Sequence, residues 1–284
     1  MGRGINLGNT LDGLPTEGSW YPEPAQEYYF AAYKEAGFNN VRIPVTWQEH
    51  FMDEPYYKVD EAWLDRVEEV VDWALAQGLF VTLNAHHEEW IKNAHNAENK
   101  VKFDSLWSQI ATRFKDKPDR LVFEMLNEAE DLSVENLNAL HARVLQIIRR
   151  TNPTRIVLFS GTGWNASDNL LEIDVPDPED PYLMGFFHAY DPWDFVGGNA
   201  DWHGTPAELS SLRSNMQKVQ NWSETHNIPV ILNEWGATHK CDYNQKMRYL
   251  GLYGNIILDH GFAYSYWDDG GDFRLYERED NEWD

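Results

Sequence analysis

Apolar runs of strand length alternate with amphipathic stretches of helical period along the whole chain. The strand-like runs are Gly4 to Leu7, Asn40 to Pro44, Phe80 to Asn84, Leu121 to Leu126, Arg155 to Ser160, Tyr182 to Phe187, Val230 to Asn233 and Ala263 to Trp267. Between them the period changes to that of a helix over Ala25 to Ala36, Glu61 to Ala76, Val101 to Phe114, Val134 to Arg150, Asn169 to Ile173, Thr205 to His226 and Tyr243 to Asp259. Gly37, Gly78 and Gly261 follow three of these helices as stops, and Ser133 stands before Val134 as an N-cap. Eight near-continuous apolar strands with helices between them predict an α/β fold, the (β/α)8 or TIM barrel. No helix is predicted after the eighth strand: the last helix is absent, or the chain is truncated before it, which puts barrel closure in question.

Two of the runs end abruptly in a carboxylate. Phe123-Glu124-Met125-Leu126-Asn127-Glu128 and Ile231-Leu232-Asn233-Glu234-Trp235-Gly236 each pass from apolar residues to Asn-Glu. A buried strand ends that way where it opens on something polar. Since active sites of such barrels lie at the C-terminal strand ends, Glu128 and Glu234 would face each other across the mouth. Paired carboxylates cleave glycosidic bonds, by retention or inversion according to their separation.

At 284 residues, with no linker or low-complexity tract, the chain is read as one domain over residues 1–284. The net charge of −24 argues against nucleic acid and anionic membranes, and no apolar run is long enough to span a bilayer. A neutral substrate is the natural partner. Cys241 is the single cysteine, so no intrachain disulfide forms. No signal peptide is visible before the first strand, although a secreted protein trimmed of its leader would look the same.

The other strand ends supply Asn9 and Asp12, Arg42, His86 and His87, Asn127, His188 and Tyr190, and Trp267 and Asp268. A buried arginine needs a carboxylate partner, which a glutamate on another strand can provide. Among 13 tryptophans, Trp20, Trp47, Trp90, Trp164, Trp193, Trp202, Trp235 and Trp267 fall in or beside the strand-to-helix loops, where indole faces could stack on sugar rings. Two other classes fit some of these residues: a metal-dependent hydrolase and a glycan-binding protein without turnover. Joint metal ligation by adjacent His86 and His87 is disfavoured if the strand runs through them, because they would then point to opposite faces.

In order along the chain stand Gly4-Ile5-Asn6-Leu7-Gly8-Asn9, Val41-Arg42-Ile43-Pro44, Asn84-Ala85-His86-His87-Glu88, the two carboxylate runs, His188-Ala189-Tyr190 and Tyr266-Trp267. This set resembles glycoside hydrolase family 5, the cellulase-type retaining β-glycanases. The resemblance implies Glu128 as general acid/base, Glu234 as nucleophile and Asn127 as the partner of the sugar 2-hydroxyl. It implies Arg42 and Tyr190 as hydrogen-bond donors to Glu234, His86, His87 and His188 as orienting residues, and Trp267 as the floor of the cleavage subsite. Asn9, Asp12, Trp202 and Asp268 match more variable substrate-binding positions. It further implies an endo-acting β-1,4-glucanase, with β-mannanase, xyloglucanase and mixed-linkage glucanase as alternatives, that needs no cofactor or metal. A monomeric, extracellular enzyme taking β-linked poly- or oligosaccharide is expected. One departure is Ala129, where the family commonly has Pro after the acid/base; a looser loop is the expected result.

Overall fold

The computed structural model describes residues 1–52 and 57–284. Eight parallel strands form a closed barrel in chain order: β1 (Arg3–Asn6), β2 (Asn40–Ile43), β3 (Phe80–Asn84), β4 (Leu121–Glu124), β5 (Val157–Phe159), β6 (Leu183–His188), β7 (Val230–Glu234) and β8 (Ala263–Tyr266). Closure is made by β1 on β8, with Gly4 opposite Ser265 and Ile5 opposite Tyr266. Backbone pairing alone joins the ring, so the question over closure is answered without a helix after β8.

The helices are α1 (Glu27–Glu35), α2 (Glu61–Ala76), α3 (Glu89–Asn93), α4 (Ala97–Arg113), α5 (Val134–Arg149), α6 (Ser167–Leu170), α7 (Trp193–Val196), α8 (Pro206–His226) and α9 (Tyr243–Asp259). The five long helices α2, α4, α5, α8 and α9 start at N-cap side chains (Asp60, Asn96, Ser133, Thr205 and Asp242) that accept otherwise unpaired backbone N–H groups. Ser133 accepts from Asn136, as expected, and Thr205 and Glu208 form a reciprocal capping box. α4 begins four residues earlier than its periodicity predicts, because Asn96 accepts from the Asn99 N–H and starts the helix there. α3 and α7 were not predicted; each is too short to show a period. Gly37, Gly78 and Gly261 end their helices with positive φ, as expected.

Beyond β8 the chain turns through Asp268 to Gly271 and closes on a short antiparallel pair, β9 (Tyr276–Glu277) and β10 (Glu282–Trp283). This segment packs on α1, with the Tyr276 ring 5.5 Å from Tyr33 and Trp283 5.6 Å from Phe38. Arg278 within it is fully buried.

Alternation along the strands divides the interior into two zones. Odd positions such as Leu121, Phe123, Val157 and Leu232 join the large core beneath the helices, whereas Val122, Leu158, Phe186 and Ile231 form a separate small cluster inside the barrel. One step nearer the C-terminal strand ends, the interior becomes polar. Asn6, Arg42, Asn84, Glu124 and Asn233 are all at most 1% exposed. Buried polar groups need partners, and they find them in one another.

Candidate active site

Arg42 lies at the centre of the polar zone. A guanidinium has five N–H donors, and five hydrogen bonds leave this one: Nε to Glu124 Oε2 (2.7 Å), Nη2 to Glu124 Oε1 (2.6 Å) and Asn127 Oδ1 (2.7 Å), and Nη1 to Asn6 Oδ1 (3.1 Å) and Glu234 Oε1 (2.5 Å). The carboxylate partner expected for Arg42 is therefore present twice, and the bidentate one is Glu124. That residue was not recognised as part of the site. The available signal was a lone charge in the middle of the apolar run of β4.

Above this layer a cavity of about 850 Å³ opens at the C-terminal strand ends, lined by Asn9, Asp12, His86, His87, Glu128, His188, Tyr190, Glu234 and Trp267 among others. Tyr190 donates its phenolic hydrogen to Glu234 Oε2 at 3.0 Å. His188 Nδ1 lies 3.0 Å from Glu128 Oε1 and 3.6 Å from Glu234 Oε2. One carboxylate oxygen of each glutamate and a ring nitrogen of His188 all fall within 4.8 Å of one another. Glu128 leaves its strand with φ of +43°, a left-handed conformation costly for a side chain of this kind. Its backbone N–H donates to Asn165 Oδ1 at 2.7 Å, which helps hold the turn. Ala129 is buried and bridges to Thr162, so the loop expected to be loosened is held in place.

The two carboxyl groups behave as one electrostatic unit. Burial raises Glu234, and His188 and Arg42 only partly offset it. Burial acts on Glu128 as well, but the hydrogen bond and charge of His188, with the charges of Lys92 and Arg42, outweigh it and hold that carboxyl below its ordinary range. The His188 ring thus favours the ionised form of both carboxyls, and Glu234 has Arg42 and Tyr190 as further donors.

His86 and His87 both line the cavity, with ring centroids 4.4 Å apart. The expectation that they would point to opposite faces is corrected: β3 ends at Asn84, so strand alternation does not extend to them. Burial lowers His86 well below the usual imidazole range and His87 to about 4, which keeps both rings neutral. With Asp12 they form a cluster of potential ligand atoms within 4.8 Å. His86 is poorly suited to hold a metal there. Its Nδ1 faces the Asn84 amide nitrogen at 3.0 Å, and Asn84 Oδ1 already accepts from the Val45 N–H. The amide NH2 must therefore donate to Nδ1, so the ring proton is on Nε2. Asp12 is likewise engaged, accepting from the Asn9 and Thr10 N–H groups.

Trp267 lies parallel to the His86 ring, the planes 2° apart. Gly8 passes close against it, and a Cβ at that position would come within 2.9 Å of the indole. Trp20, Trp164 and Trp193 also line the cavity.

Two expected substrate-binding residues are corrected. Trp202 is 1% exposed and packs on Phe195 and Tyr249, away from the cavity. Asp268 is fully buried, and its carboxylate is taken up by Arg278 and the N–H groups of Gly270, Leu275 and Tyr276. Arg42 lies beneath the cavity and acts on it through Glu234, and Asn127 is held at its edge by accepting from Arg42 Nη2.

The family model described as Cellulase (glycosyl hydrolase family 5) matches residues 3–272. The chain is 42% identical to Endoglucanase H of Acetivibrio thermocellus, an alignment that covers 100% of this chain and 32% of that protein. A hyperthermophilic endo-β-1,4-glucanase solved with substrate superposes with a TM-score of 0.94 at 34% identity, covering 100% of this chain and 94% of that one. A tri-modular GH5 (subfamily 4) endo-β-1,4-glucanase from Bacillus licheniformis gives 0.93 at 37% identity, covering 100% and 57%. The chain spans about a third of the length of the first curated relatives it matches.

Proposed function

The chain belongs to glycosyl hydrolase family 5, and on that premise we propose that it is an endo-acting β-1,4-glucanase working by retaining double displacement. The observation that carries the mechanism is the spacing of the carboxylates, with oxygens of Glu128 and Glu234 within 4.8 Å of each other. Retention uses carboxyl groups about 5 Å apart, whereas inversion needs about 6.5 Å or more to admit a water. Glu234 attacks the anomeric carbon as Glu128 gives its proton to the departing oxygen. The bond to the leaving sugar breaks and a glycosyl ester forms on Glu234. Glu128, now ionised, takes a proton from water, whose oxygen displaces Glu234 and restores both groups.

The tryptophans support an internal cut. Trp20 and Trp267 follow β1 and β8, Trp164 and Trp193 follow β5 and β6, and all four line the cavity. Aromatic faces on opposite sides of the barrel suit a sugar chain that passes through. Trp267 serves as the floor of the cleavage subsite, Asn127 meets the 2-hydroxyl, and Asn9, Asp12, His86, His87 and His188 border the glycan. A polymeric β-glucan as substrate places the enzyme outside the cell, acting as a monomer.

Purified protein assayed on carboxymethylcellulose, barley glucan, glucomannan and xyloglucan should release reducing ends fastest from the β-1,4-glucans. Proton NMR should show the β-anomer first, and an initial α-anomer would overturn retention. Glu128→Gln and Glu234→Gln should each lower turnover by about three orders of magnitude or more. Near-normal activity in either folded variant would remove that residue from the chemistry.

A further inference from the structure

We infer that Glu124 is a positioning residue for the glycosyl transfer: it sets how much of the Arg42 charge reaches Glu234, and through Asn84 it fixes His86 as a hydrogen-bond donor into the cleft. The inference rests on the reading of Glu234 as nucleophile.

Glu124 accepts four hydrogen bonds. Oε1 takes Arg42 Nη2 (2.6 Å) and Asn84 Nδ2 (2.9 Å); Oε2 takes Arg42 Nε (2.7 Å) and Asn233 Nδ2 (2.7 Å). Two of the five Arg42 hydrogen bonds go to Glu124 and one goes to Glu234. Both carboxylates thus draw on the same guanidinium, and the one outside the cleft holds the larger share. The titratable groups facing Glu234 are Arg42 from β2, Glu128 beyond β4, and His188 and Tyr190 from β6 and its loop. Glu124 stands behind Arg42 as a second negative charge. Its removal leaves Arg42 to Glu234 alone and favours the ionised nucleophile.

The second arm runs through Asn84, whose NH2 donates to both Glu124 Oε1 and His86 Nδ1. The Glu124 bond and the Val45 N–H together prevent the amide from flipping. His86 is left with its proton on Nε2.

The test is the pH dependence of kcat/KM in Glu124→Gln. The acidic limb should move down by about half a unit or more. A limb that stays or moves up in the folded variant would overturn the charge arm, because mere loss of Arg42 packing weakens the support of Glu234 and moves the limb up. Glu124→Asp keeps the charge and should bring the limb back toward the wild-type position; failure to do so while folded would also count against it. Should Glu124→Gln not fold, nitrogen-15 spectra of histidine-labelled wild-type protein still decide the other arm. His86 should be protonated at Nε2, and a proton on Nδ1 would overturn the inference. Trapping the enzyme with a 2-fluoro cellobioside separates the premise from the inference: label on another residue defeats the nucleophile reading, whereas label on Glu234 with an unmoved limb defeats only the role of Glu124.

Discussion

His188 Nδ1 stands 3.0 Å from Glu128 Oε1, and this pairing, with the charges of Lys92 and Arg42, holds the Glu128 carboxyl below the ordinary carboxylate range despite its burial. Glu234 also has His188 among the groups that lower it. His188→Asn removes the imidazole that lowers both. Each carboxyl should then hold its proton to higher pH, so both limbs of the kcat/KM profile should move up together. A profile that falls in height with neither limb displaced would assign His188 to substrate contact alone.

Arg42 is predicted to act in the same sense, chiefly on the acidic limb, because it is hydrogen-bonded to Glu234 and reaches Glu128 only through its charge. In Arg42→Met the Glu234 carboxyl, the proposed nucleophile, loses its adjacent cation, so its pKa rises and the acidic limb shifts to higher pH. The same change leaves Glu124 buried without its main partner, at a cost of about 3–5 kcal/mol of stability. Thermal unfolding should report that cost. An unshifted acidic limb in folded protein would make Arg42 a packing residue.

Gly8 permits the close approach of the backbone to Trp267. The Cβ in Gly8→Ala would lie 2.9 Å from both the indole and the Asp268 carbonyl. Both contacts are too short to persist, so the approach of the Gly8 backbone to Asp268 and the position of the Trp267 indole must shift together. With Trp267 in its proposed role, stacking acts on the distorted ring of the transition state, and Gly8→Ala, like Trp267→Ala, should lower kcat more than it raises KM. An effect on KM alone would place the floor elsewhere.

Trp202 carries the opposite expectation. Buried against Phe195 and Tyr249, it should cost about 3–5 kcal/mol of stability when replaced by alanine. KM for cellopentaose should stay near the wild-type value at temperatures where the variant is folded. A large rise in KM would return Trp202 to the cleft.

What could be read from residue order follows from how barrels are built. Strands buried on both faces are apolar almost throughout, so their ends are conspicuous, and Glu128 and Glu234 mark two of those ends. Glu124 was missed for the converse reason: it lies inside the run, on a face that only the barrel interior reveals. Aromatics in loops can turn toward the cleft or toward the core, and Trp164 and Trp202 differ in this although both follow a strand. The carboxylate of Asp268 had the same ambiguity, and backbone N–H groups claimed it. The cooperation of His86 and His87 depended on where β3 stops, a limit that residue type does not mark.

The ion pair of Asp268 with Arg278 fixes where this barrel can be cut. Arg278 also donates to the carbonyls of Gly8 and Asp268, the two backbone neighbours of Trp267. The last barrel strand ends at Tyr266, yet a fusion or domain graft joined just after it would discard this brace. A transplantable version must therefore carry the chain through the Tyr276 to Trp283 pair, and a shorter one should lose the architecture of its cleavage site before it loses its barrel.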